Sequence, residues 1–427
     1  MASEQPKISD IFTPNDTPTI TYVGRNDLAL EKRLADHCNL SKMVVSISGP
    51  SKSGKTVLIK KVMDEDLVIP VIGSGISKPE ELWNRVLQWM GTPATSTVVS
   101  SSGSQIGGSA KGGGELGLPL VAKGKAEVAV SAQRSSGTST SITFENDGLI
   151  RVIKEIADSD FVIFIDDFHY IKDEIREEVG RQIKVANDSG VKIIVASVPH
   201  RTDDVVRSNS ELRGRVASLD LGYWDTSHLI MIARQGFAAL NIDLSPAIEK
   251  KLASEAMGSP QLMQTVCYCL CQVLGIFEPR ADQERIDVSD NQINLALNQT
   301  TQFTDFSKML TMLHAGPRTR GQERKEHNLV DGTMGDVYRA VLLAIRSDPI
   351  ALSFSYDEIL MRVKRVCKDD SPAGSSITSC LEQMTNISEN VQPGKPVLVW
   401  DGDRLDVTDP YFAFFLRSSD KISKLSS

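Results

Sequence analysis

The stretch Ile47-Ser-Gly-Pro-Ser-Lys-Ser-Gly-Lys-Thr56 decides the fold, because it carries the G-x-x-x-x-G-K-[ST] spacing of a phosphate-binding loop. Glycines let the backbone curl so that successive N–H groups converge on a phosphate. The lysine reaches the β- and γ-phosphates, and the final hydroxyl is a ligand for Mg²⁺. We therefore predict binding of a nucleoside triphosphate by Gly49, Pro50, Ser51, Lys52, Ser53, Gly54, Lys55, Thr56 and Val57.

The residues on either side of this loop have the pattern that such a loop requires. Residues 43–48 form an apolar run that predicts a buried strand, and residues 56–63 predict the start of a helix. The N-terminal end of a helix carries a partial positive charge and free N–H groups, which favour a bound anion. This context argues against a chance Gly/Ser/Lys loop, and we assign Thr56 as a Mg²⁺ ligand and Lys55 as a catalytic residue.

A second diagnostic element is Phe161-Val-Ile-Phe-Ile-Asp-Asp-Phe168, an apolar run that ends in two acids. A buried parallel strand delivers its last side chains to the carboxyl edge of the sheet, where the phosphate-binding loop also lies. We predict that Asp166 holds Mg²⁺ and that Asp167 is the catalytic acid that orients or activates the attacking water. The alternative is an apolar strand that ends in a turn with two acids.

The composition is that of a globular chain of two or three domains. The sequence has 427 residues, 41% hydrophobic and 24% charged, with a net charge of −8. This charge argues against a surface coated for nucleic acid. No apolar run approaches the ~20 residues of a membrane span, and the first residues lack the apolar segment of a secretory signal. Six cysteines without disulfide or zinc spacing fit a reduced, cytoplasmic protein, with Cys267, Cys269 and Cys271 as packed thiols.

The order of predicted elements indicates an α/β fold, a P-loop NTPase with a parallel sheet core. Further strands are predicted at residues 67–72 and 191–198, and helices at 78–90, 147–157 and 174–187. From residue 226 the pattern becomes helical. We divide the chain into an N-terminal arm (1–20), an ATPase core (21–225), a helical lid (226–313), a linker (314–334) and a C-terminal domain (335–420).

The core is interrupted by an insertion at residues 92–142 that is rich in Gly and Ser. Within it, residues 115–134 alternate small or apolar with polar side chains about a Lys123-Gly-Lys125 turn, as in a β-hairpin. A flexible linker is the alternative. Because an isolated hairpin is marginal in water, it would need a partner, a ligand or a neighbouring subunit to order it.

Two short motifs carry a resemblance to a known family. Tyr22-Val-Gly-Arg-Asn26 opens the core, and Met257-Gly-Ser-Pro260 opens a lid helix. Both resemble boxes of the AAA+ ATPases of the origin-recognition type and the related STAND ATPases, although Asn26 stands where Glu is usual. The resemblance implies that Gly24, Arg25, Gly258 and Pro260 contact the nucleotide, and that Ser197 is a polar sensor of the γ-phosphate or the catalytic water. No arginine follows Pro260 in its predicted helix.

The segment Ser210–Leu221 resembles the AAA+ segment that places an arginine finger in the site of a neighbouring subunit. Arg213 and Arg215 are both candidates for this catalytic role, since an arginine supplied across an interface neutralises transition-state charge. Solvated arginines on a surface helix are the alternative. The finger would imply a homo-oligomer.

The C-terminal domain resembles the winged helix of prokaryotic ATPases in these groups. Helices are predicted at Val337–Arg346, Tyr356–Val366 and Ile377–Thr385, followed by two strands around an Asp-Gly turn at residues 397–408. Residues 331–427 hold 11 Lys and Arg against 14 Asp and Glu. DNA binding depends on phosphate neutralisation, so it is not favoured for this domain, and a protein-facing winged helix fits better.

These features lead to two hypotheses, both with ATP and Mg²⁺ as cofactors. The first is an ATP-binding and hydrolysing AAA+/STAND switch that oligomerises or changes shape with nucleotide, as a scaffold in a bacterial defence or signalling system with a protein effector. Asp167 in place of the more usual Glu suggests slow hydrolysis. The alternative is a DNA-associated ATPase of the initiator or loader type.

Overall fold

The computed structural model describes residues 5–92, 97–101, 139–143, 148–198, 212–318, 321, 324–393 and 395–425. The predicted hairpin at residues 115–134 lies outside these ranges. The described part of the insertion is a two-stranded antiparallel ribbon in which Thr97 pairs with Thr143 and Ser101 with Ser139.

The N-terminal arm and the sheet domain alternate strands and helices. In chain order they contain α1 (Ile8–Ile11), α2 (Leu30–Cys38), β1 (Val44–Ser48), α3 (Lys55–Val62), β2 (Val68–Ile72), α4 (Pro79–Trp89), β3 (Thr97–Ser101), β4 (Ser139–Thr143), α5 (Gly148–Ile156), β5 (Val162–Asp166), α6 (Asp173–Asp188), β6 (Lys192–Ser197) and β7 (Val216–Asp220).

Five of these strands form one parallel sheet in the order β2-β5-β6-β1-β7. A parallel sheet covered on both faces buries its strands completely, which explains their apolar sequences. All five residues of β1 are buried. One face is covered by α2 and α3, and the other by α4, α5 and α6. The predicted α/β fold with a parallel sheet core is confirmed. Because β6 lies between β1 and β5, the ends of all three strands meet at one edge.

The lid continues from β7 as a helical array. It contains α7 (Thr226–Ala239), β8 (Ile242–Leu244), α8 (Pro246–Glu255), α9 (Pro260–Val273), β9 (Glu284–Ile286), α10 (Asp290–Thr300) and α11 (Ser307–Ala315). Side chains of Ser245, Ser259 and Ser289 cap α8, α9 and α10. The helices α10 and α11 and the pair of short strands were not predicted from the sequence.

The last part of the chain, residues 324–425, is called the C-terminal module below. It contains β10 (His327–Asn328), β11 (Met334–Gly335), α12 (Val337–Arg346), β12 (Ser353–Ser355), α13 (Tyr356–Val366), α14 (Gly374–Val391), β13 (Leu398–Trp400), β14 (Arg404–Val407), α15 (Pro410–Ser418) and α16 (Lys421–Lys424). Strands β12, β14 and β13 form an antiparallel sheet in that order. The predicted third helix is longer than expected.

Part of the predicted linker is built into this module. The strands β10 and β11 pair with each other, and Leu329 between them is fully buried. Arg324 forms an ion pair with Asp336 at 2.8 Å, and Lys325 pairs with Asp370. Arg324 and Lys325 therefore face acids of the same module.

The arm, the lid and the C-terminal module share one continuous hydrophobic core, whereas the sheet has two cores of its own. Phe306 of the lid packs against Phe412 of the module, with ring centroids 5.5 Å apart. The arm, expected to be extended, places Ile11 and Phe12 at 0% exposure in this core. The chain thus forms two apolar bodies, the sheet domain and a lid–module body.

The cysteines on α9 are packed thiols, as predicted. Cys267, Cys269 and Cys271 are each 0% exposed, and burial raises the pKa of each thiol. Among the described residues, no helix combines the length and the apolar character needed to cross a membrane.

Substitution of Phe12 tests whether the arm belongs to the lid–module core. The Phe12 ring lies 5.3 Å from that of Phe237 and directly over Gly236. We expect Phe12→Ala to lower the free energy of unfolding by about 3–5 kcal/mol, because it removes a fully buried ring and leaves a cavity. Urea denaturation of the full chain measures this. Ile20→Ala, at a 38% exposed residue, is the control and should cost about 0.5 kcal/mol or less. Equal effects of both variants would contradict the packing of the arm.

Candidate nucleotide-binding site

The loop between β1 and α3 has the backbone geometry of a phosphate cradle. Gly54 has φ 94°, which favours glycine. A Cβ on Gly49 would lie 2.8 Å from Ser53 Oγ and 3.1 Å from Leu221 Cβ, so this position also has no room for a side chain. Lys55 Nζ donates hydrogen bonds to Gly49 O at 2.8 Å and to Pro50 O at 2.9 Å. The lysine is thereby held at the centre of the loop.

Two acids at the end of β5, Asp166 and Asp167, lie close to this lysine. Asp167 adopts a left-handed conformation with φ 57°, and its N–H donates to Asp166 Oδ1 at 2.8 Å. Burial raises the pKa of Asp166, the charge of Asp167 adds to this, and Lys55 opposes it. Burial lowers the pKa of Lys55, and both acids oppose this. The charges of Lys55, Asp166 and Asp167 therefore influence one another at the end of β5.

Two hydroxyl groups of the site are buried without a hydrogen-bond partner among the described residues. They are Ser53 Oγ in the loop and Ser197 Oγ at the end of β6. Ser197 also accepts a hydrogen bond from Gly49 N through its carbonyl oxygen, at 3.2 Å. Unpaired buried hydroxyls are rare and call for a ligand. Phosphate oxygens or an ordered water are the ligands that the donors of this loop suit.

The box near the N-terminus contacts the site through Arg25. This residue is 4% exposed, its guanidinium donates to Leu221 O, and it lies 4.8 Å from the ring centroid of Trp224. Trp224 Nε1 in turn donates to Ser53 O at 2.9 Å. Gly24 lies next to Glu31, whose Oε1 would be 2.9 Å from an added Cβ. Trp224, which the sequence analysis missed, thus joins the box to the phosphate-binding loop.

The second box, at the start of α9, reaches the same place. Gly258 has φ 72° and accepts a hydrogen bond from Trp224 N at 3.0 Å. A Cβ there would lie 3.0 Å from Tyr223 Cβ, so only glycine fits. Pro260 is the first residue of α9 and lines the cavity described next.

A cavity of about 1300 Å³ is lined by residues of the loop, of the end of β5 and of both boxes, whereas Gly24, Gly49, Ser197 and Gly258 are not among its lining residues. It has the volume for a nucleoside triphosphate with its surrounding water, since ligand pockets commonly measure ~300–1000 Å³. The predicted residues that line it are Arg25, Pro50, Ser51, Lys52, Ser53, Gly54, Lys55, Thr56, Val57, Asp166, Asp167 and Pro260. Together with the two unpaired hydroxyls, this donor set fits a triphosphate with Mg²⁺.

The C-terminal module also lines this cavity, which the sequence analysis did not foresee. Lys395 Nζ lies 3.3 Å from Asp167 Oδ2. Lys52 of the loop lies 3.8 Å from Asp409 Oδ2 and 3.7 Å from the ring centroid of Tyr411. These contacts join residues that are far apart in the chain, so a local sequence pattern does not predict them.

The two candidate finger arginines lie away from the cavity. Both precede β7 and so lie at the sheet edge opposite the phosphate-binding loop. Arg215 forms an ion pair with Asp188 at the end of α6. Arg213 is exposed and has no ion pair with another described residue. The structure does not bring either arginine to the site of its own chain.

No protein-family model and no curated protein matches the chain. Among solved structures, it is similar to the Walker-type ATPase paby2304 of Pyrococcus abyssi, with 13% identity, a TM-score of 0.49 and coverage of 93% of this chain and 99% of that one. For the Aeropyrum pernix ORC2 protein, solved as ADPNP–ADP complexes, identity is 12%, the TM-score 0.47 and coverage 97% of both chains. For Cdc6p from Pyrobaculum aerophilum, identity is 12%, the TM-score is 0.41, and coverage is 97% of this chain and 98% of that one.

Removing the charge of Asp166 should stabilise the protein. Its pKa is raised in the folded state, so the ionised carboxylate lowers the free energy of unfolding at neutral pH. We expect Asp166→Asn to raise the free energy of unfolding at pH 7 in Mg²⁺-free buffer. The difference should vanish as the pH falls below about 3.9, where the carboxyl is protonated in both states.

Urea denaturation between pH 3 and pH 7 measures this dependence. Asp287→Asn, at an exposed position on the lid, is the matched control and should show no such change. A loss of stability in Asp166→Asn at pH 7 would contradict the raised pKa.

Proposed function

We propose that the chain binds and hydrolyses ATP with Mg²⁺ as an AAA+-type ATPase. The observation that carries the proposal is the meeting of Lys55, Asp166 and Asp167 at one sheet edge, around one cavity that the two boxes also reach. A curled loop of N–H donors, a half-buried lysine and two acids together suit phosphate binding with a divalent cation.

Each residue of the site then has a task. The loop from Gly49 to Val57 holds the phosphates, and Lys55 neutralises the charge that develops on them. Thr56 and Asp166 would hold Mg²⁺, which shields the phosphate oxygens when bound. Asp167 accepts a hydrogen bond from the attacking water and orients it, while the Ser197 hydroxyl hydrogen-bonds the water or the γ-phosphate. Gly24, Arg25, Gly258 and Pro260 enclose the nucleoside.

ATP would act as a switch on the relative position of the two apolar bodies, because the cavity lies between them. We propose that the switch includes self-assembly, with an arginine of one subunit completing the site of the next. Arg213 is the preferred candidate, since Arg215 is held by Asp188. A protein effector would recognise the assembled form.

A DNA-associated initiator or loader is the second candidate function. It is supported by the element order of the C-terminal module, in which α12, β12, α13 and α14 precede a β-hairpin, as in a winged helix. The charges oppose direct DNA reading by α14, the helix that would enter a groove. It contains Glu382 and Glu389 and no Lys or Arg over Gly374–Val391. DNA contact through another surface remains compatible with these charges.

Two substitutions test the ATPase proposal. We expect Lys55→Ala to weaken ATP binding by about tenfold or more, because it removes a charge-assisted contact with the phosphates. We expect Asp167→Asn to retain binding and to slow hydrolysis by about 100-fold or more. Isothermal titration calorimetry and phosphate release measure the two effects. The control is Asp160→Asn, an exposed acid outside the cavity. Normal turnover in Asp167→Asn would refute the role given to this acid.

Mass photometry of Asp167→Asn tests self-assembly and separates it from DNA association. With ATP and Mg²⁺ we expect a discrete species larger than the monomer, which the additional change Arg213→Ala should remove. The same samples with duplex DNA at low salt test the second candidate. A larger species only with DNA would favour the initiator function, and a monomer in every sample would contradict both assembly and DNA binding.

A further inference from the structure

Two contacts bring the C-terminal module onto the phosphate side of the cavity. In the first, the loop residue Lys52 lies between Asp409 and the face of Tyr411, and the Tyr411 hydroxyl is 3.2 Å from Thr265 Oγ1 on α9. In the second, Lys395 lies on Asp167, the acid assigned to the attacking water. The module therefore contacts both the phosphate-binding loop and the catalytic acid.

The ammonium of Lys395 is held loosely. Its side chain is 51% exposed, and its described contacts are the carboxylate of Asp167 and the ring of Tyr170, whose centroid is 4.7 Å away. A half-exposed ion pair contributes little to stability and exchanges readily for a stronger partner. A terminal phosphate, with more negative charge and three acceptor oxygens, is such a partner.

The position of Lys395 is central to the site. Burial raises the pKa of Asp166, and the charge of Lys395 opposes this. Burial lowers the pKa of Lys52, and Lys395 adds to this. Lys395 thus acts on the metal-binding acid and on the phosphate-binding loop at once, as a group near the terminal phosphate would.

The lid does not supply a cation of its own at this place. Helix α9, which begins at the second box, contains neither Lys nor Arg over Pro260–Val273. Lys52 is shared between Asp409 and Tyr411, and Arg25 is buried between Leu221 and Trp224. Lys395 belongs to the lid–module body and lines the cavity, and Asp167 is the one carboxylate among its described contacts.

We propose that Lys395 senses the terminal phosphate of a bound nucleoside triphosphate. It leaves Asp167 for the γ-phosphate when ATP is bound and returns to Asp167 when ADP is bound. The transfer frees Asp167 for water, and it gives the C-terminal module a different position with each nucleotide. This inference rests on the proposed ATPase function and assigns its sensor to a residue of the module.

The test compares triphosphate with diphosphate binding in the full chain. Isothermal titration calorimetry would measure affinities for the β,γ-imido analogue of ATP and for ADP in wild type, Lys395→Ala and Lys395→Arg. We expect Lys395→Ala to lose about tenfold or more in affinity for the analogue and to keep its affinity for ADP within about twofold. Lys395→Arg should restore most of the loss. Lys364→Ala, an exposed lysine of the same module, should change neither affinity.

Hydrogen exchange gives a second measurement. If Lys395 had only a structural role, its substitution would not remove the difference in amide exchange between the two nucleotides. The amides of β13 and β14 should exchange differently with the analogue and with ADP in wild type, and alike in Lys395→Ala. Equal losses for both nucleotides, or no loss for either, would overturn the proposal. Faster turnover in Lys395→Ala with an unchanged preference for the analogue would also overturn it, since Lys395 would then only restrain Asp167. Failure of wild type to bind either nucleotide would instead refute the ATPase function itself.

Discussion

The structure depends on a set of charges placed where two apolar bodies meet. Lys55, Asp166 and Asp167 are coupled at the edge of the sheet, and burial disfavours the charged forms of Lys55 and Asp166. The surfaces that meet here carry ions and hydroxyls beside apolar side chains such as Leu221 and Trp224. Polar contacts such as that between Lys395 and Asp167 cross the junction, and a ligand rich in negative charge can rearrange them.

The two bodies differ in how they can respond. The lid and the C-terminal module share a core in which Phe306 lies against Phe412 and Phe415. Separating them would expose this aromatic surface, whereas separating the lid from the sheet breaks contacts such as that between Trp224 Nε1 and Ser53 O. Separating the two bodies at their junction therefore requires less free energy than separating the lid from the C-terminal module. A change at the phosphates should thus move lid and module together, about the segment between β7 and α7.

The sequence predicts the parts of the site that are local in the chain. The loop from Gly49 to Thr56 is recognisable because its backbone needs glycines at fixed positions, and the strand ending at Asp166 because full burial demands an apolar run. Trp224 and Lys395 were not predictable in this way. Lys395 meets Asp167 across 228 residues, and its own surroundings predict only a turn before a strand. The helix α10 was missed although its buried residues Ile293, Ala296, Leu297 and Thr300 have the i, i+3, i+4, i+7 spacing of a helix, since most of its other positions are polar.

The C-terminal module has the element order of a winged helix, and its composition of 11 Lys and Arg against 14 Asp and Glu over residues 331–427 does not favour DNA binding. Its topology alone is compatible with DNA binding, but α14 carries no positive charge, and Arg324 and Lys325 are paired with Asp336 and Asp370. Its lysine that faces the cavity, Lys395, instead forms an ion pair with Asp167. A domain that shares its core with the lid and places a cation beside Asp167 would follow the nucleotide if the proposed function holds. A partner on the outer face of the domain would then be bound or released according to the phosphates in the cavity.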